Sequence, residues 1–503
     1  MAQSRPEADQ PLVGYTEFLW EINRSMCTLR NFEQTSCDLV IQKYSNKKHR
    51  SSHKYLAERF LKDDKQVDWH NSAVWFFRQK RDEAALKVRE WEELRDLASG
   101  IKDHTLSHLD EYLREFERNA VKNGVQVHWA VDAKAHNEIV AKILEEHRVT
   151  LIVKSKSMLT EECGLNEYLA EQGVEVIDTD LGERIIQMRD EPPSHIVAPA
   201  IHLKKEDIGS LFHRELNTEK GNSDPKYLTE AAREDLRRRF LRAQAALTGV
   251  NFGIAETGGV VVCTNEGNAD MGVHLAPVQI HSMGIEKMIP RLEDLGVFTR
   301  LLARSGTGQP ITVFTSHYHR PKTGGEMHIV IVDNGRSRHL GRKGFSNALK
   351  CIRCGACLNT CPIYRRSGGY SYRHTISGPI GSVLTPGIDM VKYHDLPFAS
   401  TLCGSCSNVC PVKIDLHEQL YNWRQVISES DLIPHSKKWI FKWAGKILST
   451  PAAYRFWTKR ARWAMRRLPR FMIYNRFNVW GKQRELPDPP KDSFSEWYKK
   501  NRI

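Results

Sequence analysis

From Ala57 to Asn123 apolar residues recur every three or four positions, through AERFLKDD and then AVWFFRQKRDEAALKVREWEELRDLASGIKDHTLSHLDEYLREFERNAVKNG, until Gly124 stops the pattern. That period predicts amphipathic helices paired as a hairpin. Beyond Gly124 short β-branched runs alternate with amphipathic stretches: VQVHWAV, AHNEIVAKILEEH, VTLIVKS, TEECGLNEYLAEQG, VEVIDTDL, GERIIQMRD and SHIVAPAI. The rhythm continues through GVNFGIAETGGVVVCTNEGN, HSMGIEKMIPRLEDLGVFTRLLARS and PITVFTSHYH to EMHIVIVDN. It predicts an α/β domain with a mostly parallel sheet ending near Asn334. From Arg336 to about Ser430 strand signals give way to helix-like and turn-rich text, and the last stretch is amphipathic helix punctuated by Pro451, Pro469, Pro487, Pro489 and Pro490. The expected order is a polar extension over 1–55, a helical hairpin plus α/β domain over 56–335, a helical domain over 336–430 and a helical tail over 431–503.

The composition fits this plan. The chain has 503 residues, 40% hydrophobic and 27% charged, with a mean hydropathy of -0.50; it has room for sizeable cores and is neither a disordered chain nor a disulfide-stapled miniature. No apolar run approaches the length of a membrane span, and the N-terminal MAQSRPEADQPLVGYTEFLWEIN lacks the basic start and apolar core of a secretory signal. A cytoplasmic protein is expected. The net charge of +13 is local: from Ser436 onward 18 Lys and Arg face only Glu485, Asp488, Asp492 and Glu496. That localisation argues against whole-surface nucleic-acid binding, and the same tail carries Trp439, Trp443, Trp457, Trp463 and Trp480, a mixture that suits an amphipathic helix on anionic lipid or a helix packed on this protein or on a partner subunit.

The chemistry is concentrated in cysteine. Seven of 11 cysteines, Cys351, Cys354, Cys357, Cys361, Cys403, Cys406 and Cys410, lie within 60 residues. Reduced thiols with gaps of two and three residues are metal ligands. Cys351-x2-Cys354-x2-Cys357-x3-Cys361-Pro362 is the ferredoxin run, whose fourth cysteine turns to the neighbouring cluster. Cys403-x2-Cys406-x3-Cys410-Pro411 is the same run with Ser400 where a first cysteine would stand. The crossover rule assigns Cys351, Cys354, Cys357 and Cys410 to one 4Fe-4S cluster and Cys361, Cys403 and Cys406 to a second. The fourth position of the second is open to Ser400, water, a partner's ligand or nothing, and the last case is a 3Fe-4S centre. A zinc knot does not require seven cysteines with two terminal Cys-Pro pairs. Two clusters with crossed ligands predict one-electron relay. There is no GxGxxG opening a βαβ unit, no H-E-x-x-H and no Walker A run.

CIRCGACLNTCPIYRRSGGYSY, GPIGSVLTP and PFASTLCGSCSNVCPVKIDL, together with SKSMLTEECGLN, DTDLGERIIQ, PPSHIVAPAIH and AETGGVVVCTNEGNADM in the α/β half, closely resemble the lactate-utilization protein B family. The resemblance runs from about Leu56 to Gln425. It implies a sugar-isomerase/CoA-transferase-like α/β domain, a helical ferredoxin-like two-cluster domain, and an iron–sulfur subunit of a bacterial system oxidising L-lactate to pyruvate. The family's seven cluster cysteines fall one by one on the seven above. It also implies partners: a cysteine-rich redox protein and a second α/β-domain protein, with peripheral contact at the inner membrane face a further expectation from the tail.

Other candidates have plainer readings beside them. Glu256 and Glu266, around a glycine turn, are candidate carboxylates for acyl transfer or anion binding, or solvated turn acids. Lys154 and Lys156 are candidate carboxylate holders, or solvated strand-end lysines. His317 and His319 are a candidate metal pair, or a polar strand face. Cys163 and Cys263 read as ordinary thiols. Two functions compete with electron relay: an acyl- or CoA-transferring enzyme whose clusters are structural, and an oxidant sensor that binds nucleic acid through the tail.

Overall fold

Six short segments form one parallel sheet: β1 (Gln126–Ala130), β2 (Leu151–Lys154), β3 (Glu175–Asp178), β4 (Ala245–Gly249), β7 (Val278–Gly284) and β10 (Glu326–Val332), in the order β1-β10-β7-β4-β2-β3. Parallel sheets are covered on both faces, and here the alternation of side chains divides the strands between two apolar layers. Ile152, Leu247 and Ile280 meet Val140 and Leu144 of helix Ala133–Glu146, with Leu165 and Leu169 of helix Leu165–Glu171. Leu151, Val153 and Ala246 face the other way, onto Phe240 of helix Pro225–Arg242. A second sheet, β8 (Met288–Ile289), β5 (Phe252–Ile254), β6 (Gly259–Thr264) and β9 (Phe314–Tyr318), has antiparallel β5–β6 and β6–β9 pairs.

The strand order positions the site. From β2 the chain moves outward to β3, returns past β2 to β4, and then proceeds in the opposite direction to β7 and β10. Strands β2, β3, β4, β7 and β10 thus follow the doubly wound order 2-1-3-4-5, with the reversal between β2 and β4. The mostly parallel α/β layer expected from the pattern is present.

The computed structural model describes residues 52–473 and 488–502, so most of the N-terminal extension, Trp480 and Pro487 lie outside the described residues. The chain divides into a larger unit ending at Arg424 and a smaller one beginning at Gln425. In the larger unit the expected hairpin is instead a succession of helices, His53–Phe60, Asp64–Leu86, Trp91–Ser107 and Leu109–Lys122. Leu109, Leu113, Phe116 and Ala120 line one face of the last helix and enter the same core as Ile254, Val260 and Val261 of the second sheet. The β5–β6 turn lies so close to this helix that a Cβ on Gly258, at φ 62°, would fall 2.1 Å from the Ala120 nitrogen. That core continues without a break into Leu349, Ile352, Leu358, Tyr364, Ile380 and Val409 around the cysteine loops.

SHIVAPAI is not a strand. Residues 194–201 run in turns, because His195 Nδ1 accepts hydrogen bonds from the Val197 (3.0 Å) and Ala198 (3.2 Å) amides that a ladder would need.

The smaller unit contains helices His435–Leu448, Pro451–Arg467 and Phe494–Asn501, none of which buries a residue. The Trp439 and Trp443 rings lie 5.7 Å apart, and the Arg460 guanidinium sits 3.7 Å over Phe456. Among the described residues no helix is long and apolar enough to cross a membrane.

Candidate metal centre

The two cysteine runs share one backbone plan. In the first, Arg353 and Gly355 take left-handed φ values of 61° and 79°, and a short helix, Ala356–Thr360, leads to Cys361-Pro362. In the second, Leu402 and Gly404 take 55° and 77°, and helix Ser405–Val409 leads to Cys410-Pro411. A left-handed Arg or Leu is strained, so its occurrence at the same place in both loops marks a backbone bent for a purpose. The bend turns the Arg353 amide toward Cys351 Sγ, at 3.4 Å, and Cys361 caps the next helix, its Sγ accepting the Tyr364 amide at 3.5 Å. Ser400 occupies the position of Cys351 in the second loop, and its Oγ accepts from the Leu402 amide at 3.1 Å.

The structure brings the seven thiols together in two overlapping groups. Cys351, Cys354, Cys357 and Cys410 line one small cavity. Cys361 lies within electrostatic reach of Cys403, and Cys406 within reach of both. Cys357 also feels Cys406, so the two groups are neighbours.

Burial sets the electrostatics. It pushes Cys354, Cys357 and Cys361 up, Cys406 to about 12 and Cys410 to about 11. Buried thiols held this far from ionisation need a bound cation to become thiolates. The donor set is all sulfur and the loop amides turn toward it, which fits iron–sulfur clusters.

Groups outside the motifs hold the loops, and the cysteine spacing alone does not reveal them. Arg95, on helix Trp91–Ser107, donates to the Cys410 carbonyl from Nε (3.1 Å) and Nη2 (2.9 Å), and to the Asn408 carbonyl from Nη2 (2.6 Å). Arg81 Nη2 donates to the Val409 carbonyl at 3.3 Å. His195 is buried and its pKa is lowered to about 3 by that burial, so it is neutral. With Nδ1 accepting, Nε2 donates to Asn359 Oδ1 at 2.9 Å, and Asn359 Nδ2 donates to the Gly306 carbonyl at 3.0 Å. This brace joins the first cysteine helix to the α/β layers.

Residues 113–338 match the LUD domain model and residues 347–414 the 4Fe-4S dicluster domain model. Lactate utilization protein B of Oceanobacillus iheyensis is 40% identical over 89% of this chain and 96% of its own length. That of Geobacillus kaustophilus is 44% identical over 81% of this chain and 88% of its own. This chain belongs to the lactate utilization protein B family. Its cofactors are two 4Fe-4S clusters. The crystal structure of a DUF162 family protein from Deinococcus radiodurans covers 44% of this chain at 14% identity with a TM-score of 0.25, too slight a likeness to carry the fold.

The remaining candidates in this lactate utilization protein B family member fall in different places. Lys154 is not a solvated strand-end lysine. It is fully buried, with Nζ 2.6 Å from Asp178, 2.9 Å from Glu161 and 3.9 Å from Glu183. Burial alone disfavours its charge, but the three carboxylates hold its pKa well above the usual lysine range. Burial raises Asp178 and Glu183 in turn. Glu256 is exposed and its carboxylate accepts the Leu292 amide at 2.8 Å. His317 Nε2 meets Thr257 Oγ1 at 2.9 Å and the ring stacks on His319, without an acidic partner beside the pair among the described residues. Burial pushes the Cys163 thiol up to about 12 and the Cys263 thiol to about 11.

Lys156 and Glu266 do meet, at a cavity of about 510 Å3 that Cys354 also lines. Lys156 Nζ donates to the Val197 carbonyl at 2.7 Å. Glu266 accepts the Leu181 amide at 3.1 Å, and burial beside Asp180 raises it to about 7.

Proposed function

We propose that this chain is the iron–sulfur electron-transfer subunit of a system that oxidises L-lactate to pyruvate. The relatives' name supplies the substrate. The observation that supports the relay is the sorting of seven thiols, five of them buried, into two adjoining groups, with Cys410 beside Cys351, Cys354 and Cys357, and Cys361 beside Cys403 and Cys406. We assign the first group to one cluster. The second takes Cys361, Cys403 and Cys406, with the Ser400 hydroxyl as its fourth ligand.

The clusters, when bound, supply one-electron carriers in close succession. The protein's own part is positional. Arg95 and Arg81 clamp the second loop, left-handed Arg353 presents its amide to Cys351, and the surrounding cations offset the negative charge of thiolate ligands. Lactate oxidation releases two electrons and two protons, so the chain needs partners to receive substrate electrons and pass them on. A cysteine-rich redox protein and a second α/β-domain protein fill those roles. The exposed Trp- and Arg-bearing helices of 431–503 are a peripheral membrane contact on the cytoplasmic side.

We read residues 56–335 as a sugar-isomerase/CoA-transferase-like scaffold and 336–430 as the helical cluster domain. A transferase reaction at Glu256 is disfavoured, because that carboxylate is exposed and engaged with the Leu292 amide. The test is anaerobic purification with iron analysis and EPR, followed by lactate-dependent dye reduction with the partner proteins. About eight irons are expected, with turnover abolished in Cys354→Ala and Cys406→Ala while the α/β domain stays folded. Undiminished turnover after cluster loss, or zinc in place of iron, would overturn the reading.

A further inference from the structure

The 510 Å3 cavity has no role in cluster ligation, yet it lies where an open α/β sheet takes ligands. Lys156 and Ser157, just beyond β2, and Val250 and Asn251, just beyond β4, wall it at the carboxyl edge between the two strands where the winding reverses. In doubly wound sheets that crevice is the ligand site. Helices Leu181–Met188 and Asn268–Leu275 begin at its wall with their amino ends, which favour negative charge.

An observation of a different kind accompanies this geometry. Lys287 lines the cavity with no hydrogen-bond or ion-pair partner among the described residues. It is carried on a loop anchored from below: buried Lys102 donates to the Glu286 carbonyl at 2.6 Å and the Met288 carbonyl at 3.0 Å. Arg353 also lines the cavity; its side chain is only 10% exposed, Nη2 is 3.5 Å from Glu286, and Nη1 has no partner. Glu286 reaches Arg353 through Nη2 alone, and no carboxylate pairs with Lys287 among the described residues. Glu162 and Glu286 are engaged by Arg336 at 3.1 and 2.6 Å, and Asp180 caps its own helix through the Glu183 amide. The lining also includes the apolar Ile185, Val197 and Leu302.

The cavity also reaches the first cluster loop. Arg353 and Cys354 line both it and the small space shared by Cys351, Cys357 and Cys410. Gly306 permits that approach, since a Cβ there would fall 2.8 Å from the Cys354 carbonyl oxygen.

We propose that this cavity binds an anionic organic ligand, its carboxylate or phosphate on Lys287 and Arg353 and its apolar body along Val197 and Leu302, against the Cys354 loop. Its purpose, exchange of electrons with the first cluster, rests on the electron-transfer reading; its occupancy does not. A volume in the range that accepts whole cofactors favours a ligand larger than a three-carbon acid. The absent glycine fingerprint argues against a dinucleotide, whereas a mononucleotide bound at the reversal needs none.

The cluster-loaded full chain, held anaerobically, should be titrated calorimetrically with flavin mononucleotide and, separately, with L-lactate and with pyruvate. Saturable one-to-one binding is expected, weakened at least about tenfold in Lys287→Gln at unchanged iron content, with a change in the EPR signal of one reduced cluster. Binding of the flavin alone identifies a carrier site, and binding of the three-carbon acids alone identifies a substrate site. Leu302→Trp, which fills the apolar side, provides a second test and should also abolish binding. No binding by any of the three, or binding indifferent to both substitutions, overturns the proposal. Binding by a protein that holds no iron overturns the electron-transfer reading and leaves the cavity assignment standing.

Discussion

Replacing Lys154 by Met keeps the apolar stem and removes one charge from a place without solvent. In the native protein this ammonium faces Asp178, Glu161 and Glu183 at 2.6, 2.9 and 3.9 Å. Without it, the buried Asp178 and Glu183 must either take up protons or remain uncompensated, and breaking a buried pair in this way costs about 3–5 kcal/mol. Unfolding entropy near 2.1 cal/mol/K per residue, over about 370 residues of the larger unit, comes to about 0.8 kcal/mol/K, so the Tm should fall by about 4–6 °C at pH 7. The pH dependence has a definite sign. A carboxyl whose folded pKa is raised above its unfolded value destabilises the protein once pH exceeds the unfolded value, and the penalty disappears below it. Asp178 and Glu183 are already raised with Lys154 present, and removing the cation raises them further. The deficit of Lys154→Met should therefore be larger at pH 7 than at pH 5. Thermal scans by circular dichroism at both pH values decide the matter. A Tm within about 1 °C of the parent at pH 7, or an equal deficit at both, would refute the reasoning.

Arg95→Gln removes the fork that holds the Asn408 and Cys410 carbonyls, charge-assisted bonds worth about 1.5–3 kcal/mol each, and should speed iron loss to a chelator at least about fivefold; an unchanged rate would leave the clamp without a role. Ser400→Ala should lower the iron content from about eight to about seven and bring up an oxidised-state EPR signal, while Ser400→Cys retains about eight; an Ala variant with eight irons would exclude the hydroxyl as a ligand. Removal of residues 436–503 should abolish co-sedimentation with vesicles containing phosphatidylserine, and added salt should weaken binding of the parent; equal sedimentation of both proteins would dismiss the membrane contact.

What was legible in the sequence depended on how local the cause was. The parallel sheet announces itself where strands such as β2 and β10 are β-branched runs with buried faces, and the alternation that sends Ile152 one way and Val153 the other is a property of the strand alone. The shared backbone plan of the two cysteine loops was legible for the same reason, since the cysteines of each run lie a few residues apart. SHIVAPAI misled because a single histidine ring diverts two amides, and nothing in a run of apolar letters reveals where its backbone donors go. Lys154 misled because its partners stand 7, 24 and 29 positions further along the chain, and only folding converts a strand-end lysine into the centre of a carboxylate cage.

The least legible features are those in which the two halves of the larger unit complete each other. Arg353 belongs to the cysteine motif by position, yet its guanidinium faces Glu286 at the end of the parallel sheet and lines the α/β cavity. Asn359 belongs to the cysteine helix, yet it is fixed by His195 on one side and the Gly306 carbonyl on the other. Each link crosses more than 50 residues of sequence, and those to Glu286 and Gly306 join the cavity wall to the first cysteine run. A cluster domain that served only as a wire between partner proteins would not need its first loop built into the wall of an α/β pocket. The shared wall is what a site for exchanging electrons with a bound small molecule requires, because whatever fills the pocket then rests against the loop that carries Cys354.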